Sequence, residues 1–235
     1  YSLLHNISRK MDMCIAMSPT ISTQRELERH VPKAFIYNNF REDVVKELFK
    51  QQRKMIEKKK EIRRVCLVLD DLLFDKSVLR GKVMREVFQN GRHLYITCVV
   101  TAQYLMDLSP SIRSNTDICL ALAENVHANK EKLHKCFFGF FESYRDFNSV
   151  FTACTQNYEA LVMDLTKHSN NIEDCVFWYK APMPVPPFRI GNDIYFKLSS
   201  NNRSNRDDDE STIVTKMPKP KRIRRVQKCD EYGNK

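Results

Sequence analysis

The stretch Val65-Cys66-Leu67-Val68-Leu69-Asp70-Asp71 decides the reading of this chain: five apolar residues run straight into two adjacent acids. An apolar run of this length without polar alternation is a strand buried on both faces, as in a parallel sheet covered by helices. The C-terminal tip of such a strand opens onto the crevice where α/β sheets bind their ligands.

Two carboxylates delivered to that crevice have the Walker B form. One acid holds Mg²⁺, commonly through water, and the other orients or deprotonates an attacking water. Asp70 takes the metal role on this reading and Asp71 the water role. A strand running into an Asx turn would carry the same letters, so the neighbouring segments matter. The next apolar run, Tyr95-Ile96-Thr97-Cys98-Val99-Val100-Thr101, ends at Ala102-Gln103. The Gln103 amide both donates and accepts. At a strand tip it suits contact with a γ-phosphate or with the attacking water, or it caps the next turn. Beyond it, Pro110-Ser111-Ile112-Arg113-Ser114-Asn115-Thr116-Asp117 places Arg113 on a loop leading into another apolar strand. An arginine there can act as a finger toward a neighbour's nucleotide, an effect worth about 10³–10⁵ in rate. Arg92, in Asn90-Gly91-Arg92-His93, is a second candidate. A surface or structural role stays open for both.

Outward from this centre, strands are expected at 14–17, 65–69, 95–101, 117–121, 160–163 and 175–178, interleaved with helical patterns. Residues 42–64 read as a long helix with Val44, Val45, Leu48 and Phe49 on one face and Asn39 and Glu42 in a capping-box-like start. Acids lead it and bases trail, matching the helix dipole. Its basic end fits a solvated face, or contact with DNA. Further helices are expected at 77–90, stopped by Gly91, and at 129–142 and 145–155. Residues 1–9 read as the end of a helix. The Pro-rich run 181–187 closes the regular part, and 190–198 reads as a last edge strand. This alternation indicates an α/β domain with a mainly parallel sheet.

Composition narrows the classes. The chain has 235 residues, 42% hydrophobic and 29% charged, with a net charge of +10, enough to bury a substantial core. Its eight cysteines include no CxxC pair, which argues against a zinc site or disulfide framework and favours a reducing compartment. No apolar run reaches the ~20 residues that span a bilayer, and no signal-peptide pattern is present. Residues 216–228 hold Lys216, Lys219, Lys221, Arg222, Arg224, Arg225 and Lys228 with no acid among them. Such a run suits nucleic acid, through counterion release, or is a solvated tail or nuclear-import signal.

Taken in order, several segments resemble the packaging ATPases of the nucleocytoplasmic large DNA viruses, in the FtsK–HerA group of P-loop motors. They are Met17-Ser18-Pro19-Thr20, Phe35-Ile36-Tyr37, Leu69-Asp70-Asp71, Asn90-Gly91-Arg92-His93, Thr101-Ala102-Gln103-Tyr104, Arg113-Ser114-Asn115-Thr116-Asp117, Asn157-Tyr158-Glu159 and Val176-Phe177-Trp178-Tyr179-Lys180. The resemblance implies a RecA-like P-loop NTPase core over residues 1–198, followed by a disordered polar and basic tail over 199–235. It implies ATP and Mg²⁺ as cofactors and double-stranded DNA as partner. It further implies a homo-oligomeric ring, capsid or portal components beside it, and hydrolysis coupled to moving the genome into the capsid. The implied place is the virion or a viral factory in the host cytoplasm, and the basic tail leaves the host nucleus open. Asp70 and Asp71 would take the Walker B roles, Gln103 the sensor role, and Arg113, ahead of Arg92, the finger.

One departure is serious. No GxxxxGK[ST] occurs, and Gly81-Lys82-Val83 lacks both the earlier glycine and the hydroxyl. The first strand and phosphate loop of the family are therefore absent. Since the sequence opens on Tyr1 and not on methionine, an upstream segment is expected. This polypeptide alone is expected neither to bind ATP tightly nor to hydrolyse it, because backbone amides and a lysine of that loop hold the phosphates. Two alternatives stand beside a motor ATPase: a non-catalytic DNA-binding or virion-associated descendant, and an unrelated α/β binding module.

Overall fold

The two most apolar runs, Met13-Cys14-Ile15-Ala16-Met17 and Val65-Cys66-Leu67-Val68-Leu69, lie side by side at the centre of the fold. They form strands β1 (Met13–Met17) and β3 (Val65–Leu69), and every residue of both is buried. The structure, a computed structural model, describes residues 1–72, 78, 81–104 and 108–201, all within one compact unit. The short β2 (Ile36–Tyr37) flanks β1, and β4 (Ile96–Val100) flanks β3, in the order β2-β1-β3-β4. All three pairings are parallel.

Each face of this sheet carries its own helices. Helices α1 (Ser2–Ser8) and α2 (Ile21–Leu27) bring Leu4 and Leu27, with Val31 and Ile190, onto Cys14, Ala16, Cys66 and Val68. Strand alternation sends Met13, Ile15, Met17, Leu67 and Leu69 to the other face. There α3 (Glu42–Glu57) buries Val44, Val45, Leu48 and Phe49, and α4 (Lys82–Asn90) buries Val83, Met84 and Val87.

Helix α3 starts where the sequence places it and stops earlier. Its N-cap is Arg41, with no side-chain cap, so Asn39 forms no capping box; Arg41 grips Asp43 at 2.8 Å. The expected stretch to residue 64 ends at Glu57: Lys59 turns left-handed (φ 48°), and a continued helix would set Lys58 one turn from the like-charged Lys54. The chain then folds back, and the Arg64 amide donates to Asp12 Oδ2 at 2.8 Å. Gln52, on α3 and buried, donates through Nε2 to the carbonyls of Arg63 and Leu94, both at 2.7 Å. It thereby fastens the helix to the segments that enter β3 and β4. Helix α4 ends at Gly91, though not in the left-handed geometry usual for a stop glycine (φ −54°). Glycine is needed there for room: a Cβ would lie 2.4 Å from the Val87 carbonyl oxygen.

After α5 (Pro110–Ser114) the chain builds a second sheet from β5 (Ile118–Ala121), β6 (Glu159–Asp164) and β7 (Val176–Lys180). The order is β5-β6-β7 and both pairings are antiparallel. Its inner face packs Ala121, Leu161 and Met163 on Phe137 of α6 (His127–Phe137), Phe147 and Phe151 of α7 (Tyr144–Cys154), and the connecting Phe138 and Phe141. Cys175, closing the short α8 (Ile172–Cys175), completes this cluster.

All six expected strands are present, and the parallel sheet dominates the α/β architecture. A seventh expected strand is overturned: 190–198 is not an edge strand, because residues Asp193–Asn201 form α9. Gly191 turns the chain at φ 106°, and Asn192 Oδ1 accepts the Ile194 amide at 3.1 Å, an Asx turn that starts a helix. The helix then buries Tyr195 against Phe35. Residues 199–201, expected in the tail, belong to α9, and 202–235 lie outside the described residues.

Candidate active site

Three strands end in polar residues at one level of the parallel sheet. Met17 is the register partner of Leu69, and Leu69 of Val100. The following residues, Ser18, Asp70 and Thr101, therefore stand in a row along the C-terminal edge. Their side chains bond across it. Ser18 donates to Asp70 Oδ2 at 3.2 Å, and Thr101 donates to Asp70 Oδ1 at 2.8 Å. The Asp71 amide donates to Thr101 Oγ1 at 3.0 Å, and Gln103 Nε2 donates to Asp71 Oδ1 at 2.9 Å. Asp70, Asp71 and Gln103 thus share one cluster.

The backbone aims the second acid. Asp71 adopts φ 52°, a left-handed conformation uncommon for a residue with a Cβ, and this turns its carboxylate toward Gln103 instead of continuing the strand. Ser18 is fully buried. Its own carbonyl accepts Gln24 Nε2 at 2.8 Å, so the β1 tip is tied to α2. The Tyr1 phenol is pushed up by burial and by the negative charges of Glu26 and Asp70, with Arg29 opposing. The start of α1 therefore lies within electrostatic reach of the acid row.

The remaining candidates lie apart from the cluster. Arg92 precedes β4 at the opposite edge of the sheet and pairs with Asp117, ahead of β5. Arg113 turns inward from α5, with Nη1 donating to the Leu108 carbonyl at 2.5 Å. Lys216, Lys219, Lys221, Arg222, Arg224, Arg225 and Lys228 lie outside the described residues. Gly81 and Lys82 open α4 beside a hollow of about 220 Å³ bordered by Phe40, Glu42, Val78, Val83 and Met84. A carboxylate on its rim and apolar walls make it unsuited to a phosphate. Two thiols are held protonated: the buried Cys14 is pushed up by its hydrogen bond with Cys66 and by burial, and desolvation pushes the half-buried Cys119 up to about 12. Among the described residues no group of three or more His, Cys, Asp or Glu is arranged to hold a metal ion by itself. Among them, too, no helix is long and apolar enough to cross a membrane.

Ser18 and Thr101 belong to the cluster but carry no role from the sequence. The signal that finds them is positional: each directly follows the last apolar residue of its strand, as Asp70 does.

Comparison with protein-family profiles finds no match for the chain. Similar sequences are viral. Uncharacterized protein L437 of Acanthamoeba polyphaga mimivirus is 29% identical over 182 residues, 74% of this chain. Uncharacterized protein 088R of Invertebrate iridescent virus 3 is 29% identical over 199 residues, 81% of this chain and 74% of that protein. Uncharacterized protein 015R of Frog virus 3 (isolate Goorha) is 32% identical over 162 residues, 67% of this chain. The chain spans 64% of the mimivirus protein and 50% of the Frog virus 3 protein. Among solved structures, the genome packaging NTPase B204 of Sulfolobus turreted icosahedral virus 2 with AMPPCP aligns with TM-score 0.52 at 14% identity. It covers 77% of this chain and 88% of that one. EssC (ATPases 2 and 3) from Geobacillus thermodenitrificans aligns with TM-score 0.54 at 12% identity, over 86% of this chain and 40% of that one. The fold of this chain, α/β with a mainly parallel four-stranded sheet, is that of the P-loop NTPases.

Proposed function

We propose that the chain is part of a viral DNA-packaging ATPase, whose complete form couples ATP hydrolysis to moving the genome into a capsid. The observation that carries this reading is the bonded row Ser18, Asp70, Thr101, Asp71 and Gln103 at the C-terminal edge of a parallel sheet. Its likeness in fold to a genome packaging NTPase and its viral relatives support the biological setting.

The donor set fits Mg²⁺, which takes oxygen ligands and keeps several waters. Asp70 would hold the ion through water, since each of its oxygens already accepts a hydroxyl. The ion, when bound, supplies charge neutralisation between the phosphates. Asp71 keeps the oxygen that Gln103 does not engage, and that oxygen accepts a proton from the attacking water. The Gln103 amide, anchored at one end on Asp71, orients that water with its remaining groups.

Support for a missing phosphate loop comes from the sheet edges. The parallel sheet ends at β4 and the antiparallel sheet at β5. The Arg92–Asp117 pair brings the starts of these two strands within one arginine's reach. The bonds from Val65 N to Tyr95 O and from Thr101 N to Leu69 O turn the odd-numbered groups of β4 toward β3. Alternation leaves the main-chain groups of Cys98 and Val100 facing outward. Helix α1 reaches across, with Asn6 bonding Tyr179 on β7 while Leu4 and Ile7 join the core on β1 and β3. One strand from outside this sequence, about 4.8 Å from its neighbours, fits that gap and would lead through a phosphate loop into α1. A ring of such subunits on double-stranded DNA, with Arg113 or Arg92 contributed to a neighbour and the tail on the duplex, belongs to the same proposal.

The test is a longer chain carrying the upstream reading frame. DNA-stimulated ATPase activity should appear in it and fall about 10²–10⁴-fold with Asp71→Asn, the range for loss of a general base. An upstream frame without GxxxxGK[ST], or undiminished hydrolysis in Asp71→Asn, would sink the reading.

A further inference from the structure

We propose that Thr101, supported by Ser18, is a positioning residue that fixes the two acids relative to one another and so governs metal affinity without touching the metal. The inference rests on the reading of Asp70 as the metal-holding acid.

Count the protons. The Thr101 hydroxyl has one to give, and it goes to Asp70 Oδ1 at 2.8 Å. Its oxygen then accepts the Asp71 amide at 3.0 Å. One side chain just past the tip of β4 therefore sets the orientation of the first carboxylate and the left-handed backbone of the second acid. Ser18, on the far side of β3, gives its proton to Asp70 Oδ2 at 3.2 Å, so the carboxylate is clamped by a hydroxyl from each neighbouring strand. An ionised carboxylate offers about four lone-pair sites. The clamp uses one on each oxygen and leaves the others to meet the ion's waters in a fixed plane. Groups that orient a metal-holding carboxylate from behind commonly change affinity by about 10–100-fold when removed. Threonine suits the task better than serine or valine alone: the hydroxyl makes both bonds, and the β-branch restricts its rotamer.

Mn²⁺ is the probe, titrated with a non-hydrolysable ATP analogue against the longer chain that carries the upstream reading frame, and the protein-bound ion is followed by EPR and by paramagnetic broadening. Wild type should bind saturably, and Asp70→Asn should remove that binding. Thr101→Val should weaken it about 10–100-fold, Thr101→Ser should restore most of it, and the urea midpoints of the two Thr101 variants should not follow that order. Ser18→Ala gives an independent arm should Thr101→Val fail to fold, with a weakening of at least several-fold. Wild-type affinity in Thr101→Val or in Ser18→Ala, with binding lost in Asp70→Asn, overturns this proposal and leaves the reading of Asp70 intact. Unchanged binding in Asp70→Asn, or no saturable binding by wild type, overturns both.

Discussion

The two sheets solve the same problem of burial in opposite ways. In the parallel sheet β1 and β3 are buried at every residue, with helices on both sides. In the antiparallel sheet one face rests on a cluster of phenylalanines, while Ile118 and Phe177 on the other face are 52% and 43% exposed. The parallel sheet has strand ends aligned in register, so three consecutive tips present side chains to one place. The antiparallel sheet alternates its strand directions and gathers no such row. The proposed chemistry belongs to the first sheet.

That contrast can be broken by mutation. The largest effects should come from the two cores. Phe147→Ala, beneath the antiparallel sheet, should cost about 3–5 kcal/mol, and Leu67→Ala, in β3, about 2–5 kcal/mol. Urea denaturation should show one transition shifted in both variants, and a separate second transition would mean that the two sheets fold independently. Gly91→Ala should come next, at about 1–3 kcal/mol, because the added methyl meets the Val87 carbonyl. Smallest are Phe177→Ser on the open face, within about 0.5 kcal/mol, and Arg92→Ala, at about 0–1 kcal/mol for an exposed pair. A core-sized loss in Phe177→Ser would show that this face is covered in solution.

The sequence made the parallel sheet legible because burial on both faces leaves an unbroken apolar run, and Val65–Leu69 begins and ends where its letters change. Asp70, Asp71 and Gln103 could be placed for the same reason: the end of such a run is visible. Ser18 and Thr101 could not, because a hydroxyl after a strand is common and its meaning depends on register, which a linear reading does not contain. The two-residue β2 is too short to produce a period. The turn at Asn192 was missed because Ile190, Ile194, Tyr195 and Phe196 look equally at home in a strand, and the hydrogen bond that selects the helix is made by one side chain to its own neighbourhood.

Among the described residues no further strand pairs with the outward-facing groups of β4, which bears on how the polypeptide behaves in a test tube. A strand edge with open donors and acceptors is a template for pairing with another chain, and a second copy of the same molecule is what a purified sample supplies most abundantly. A dimer or aggregate seen at high concentration would then report on a zipper between two uncapped strands. It would say nothing about the ring in which a motor subunit works.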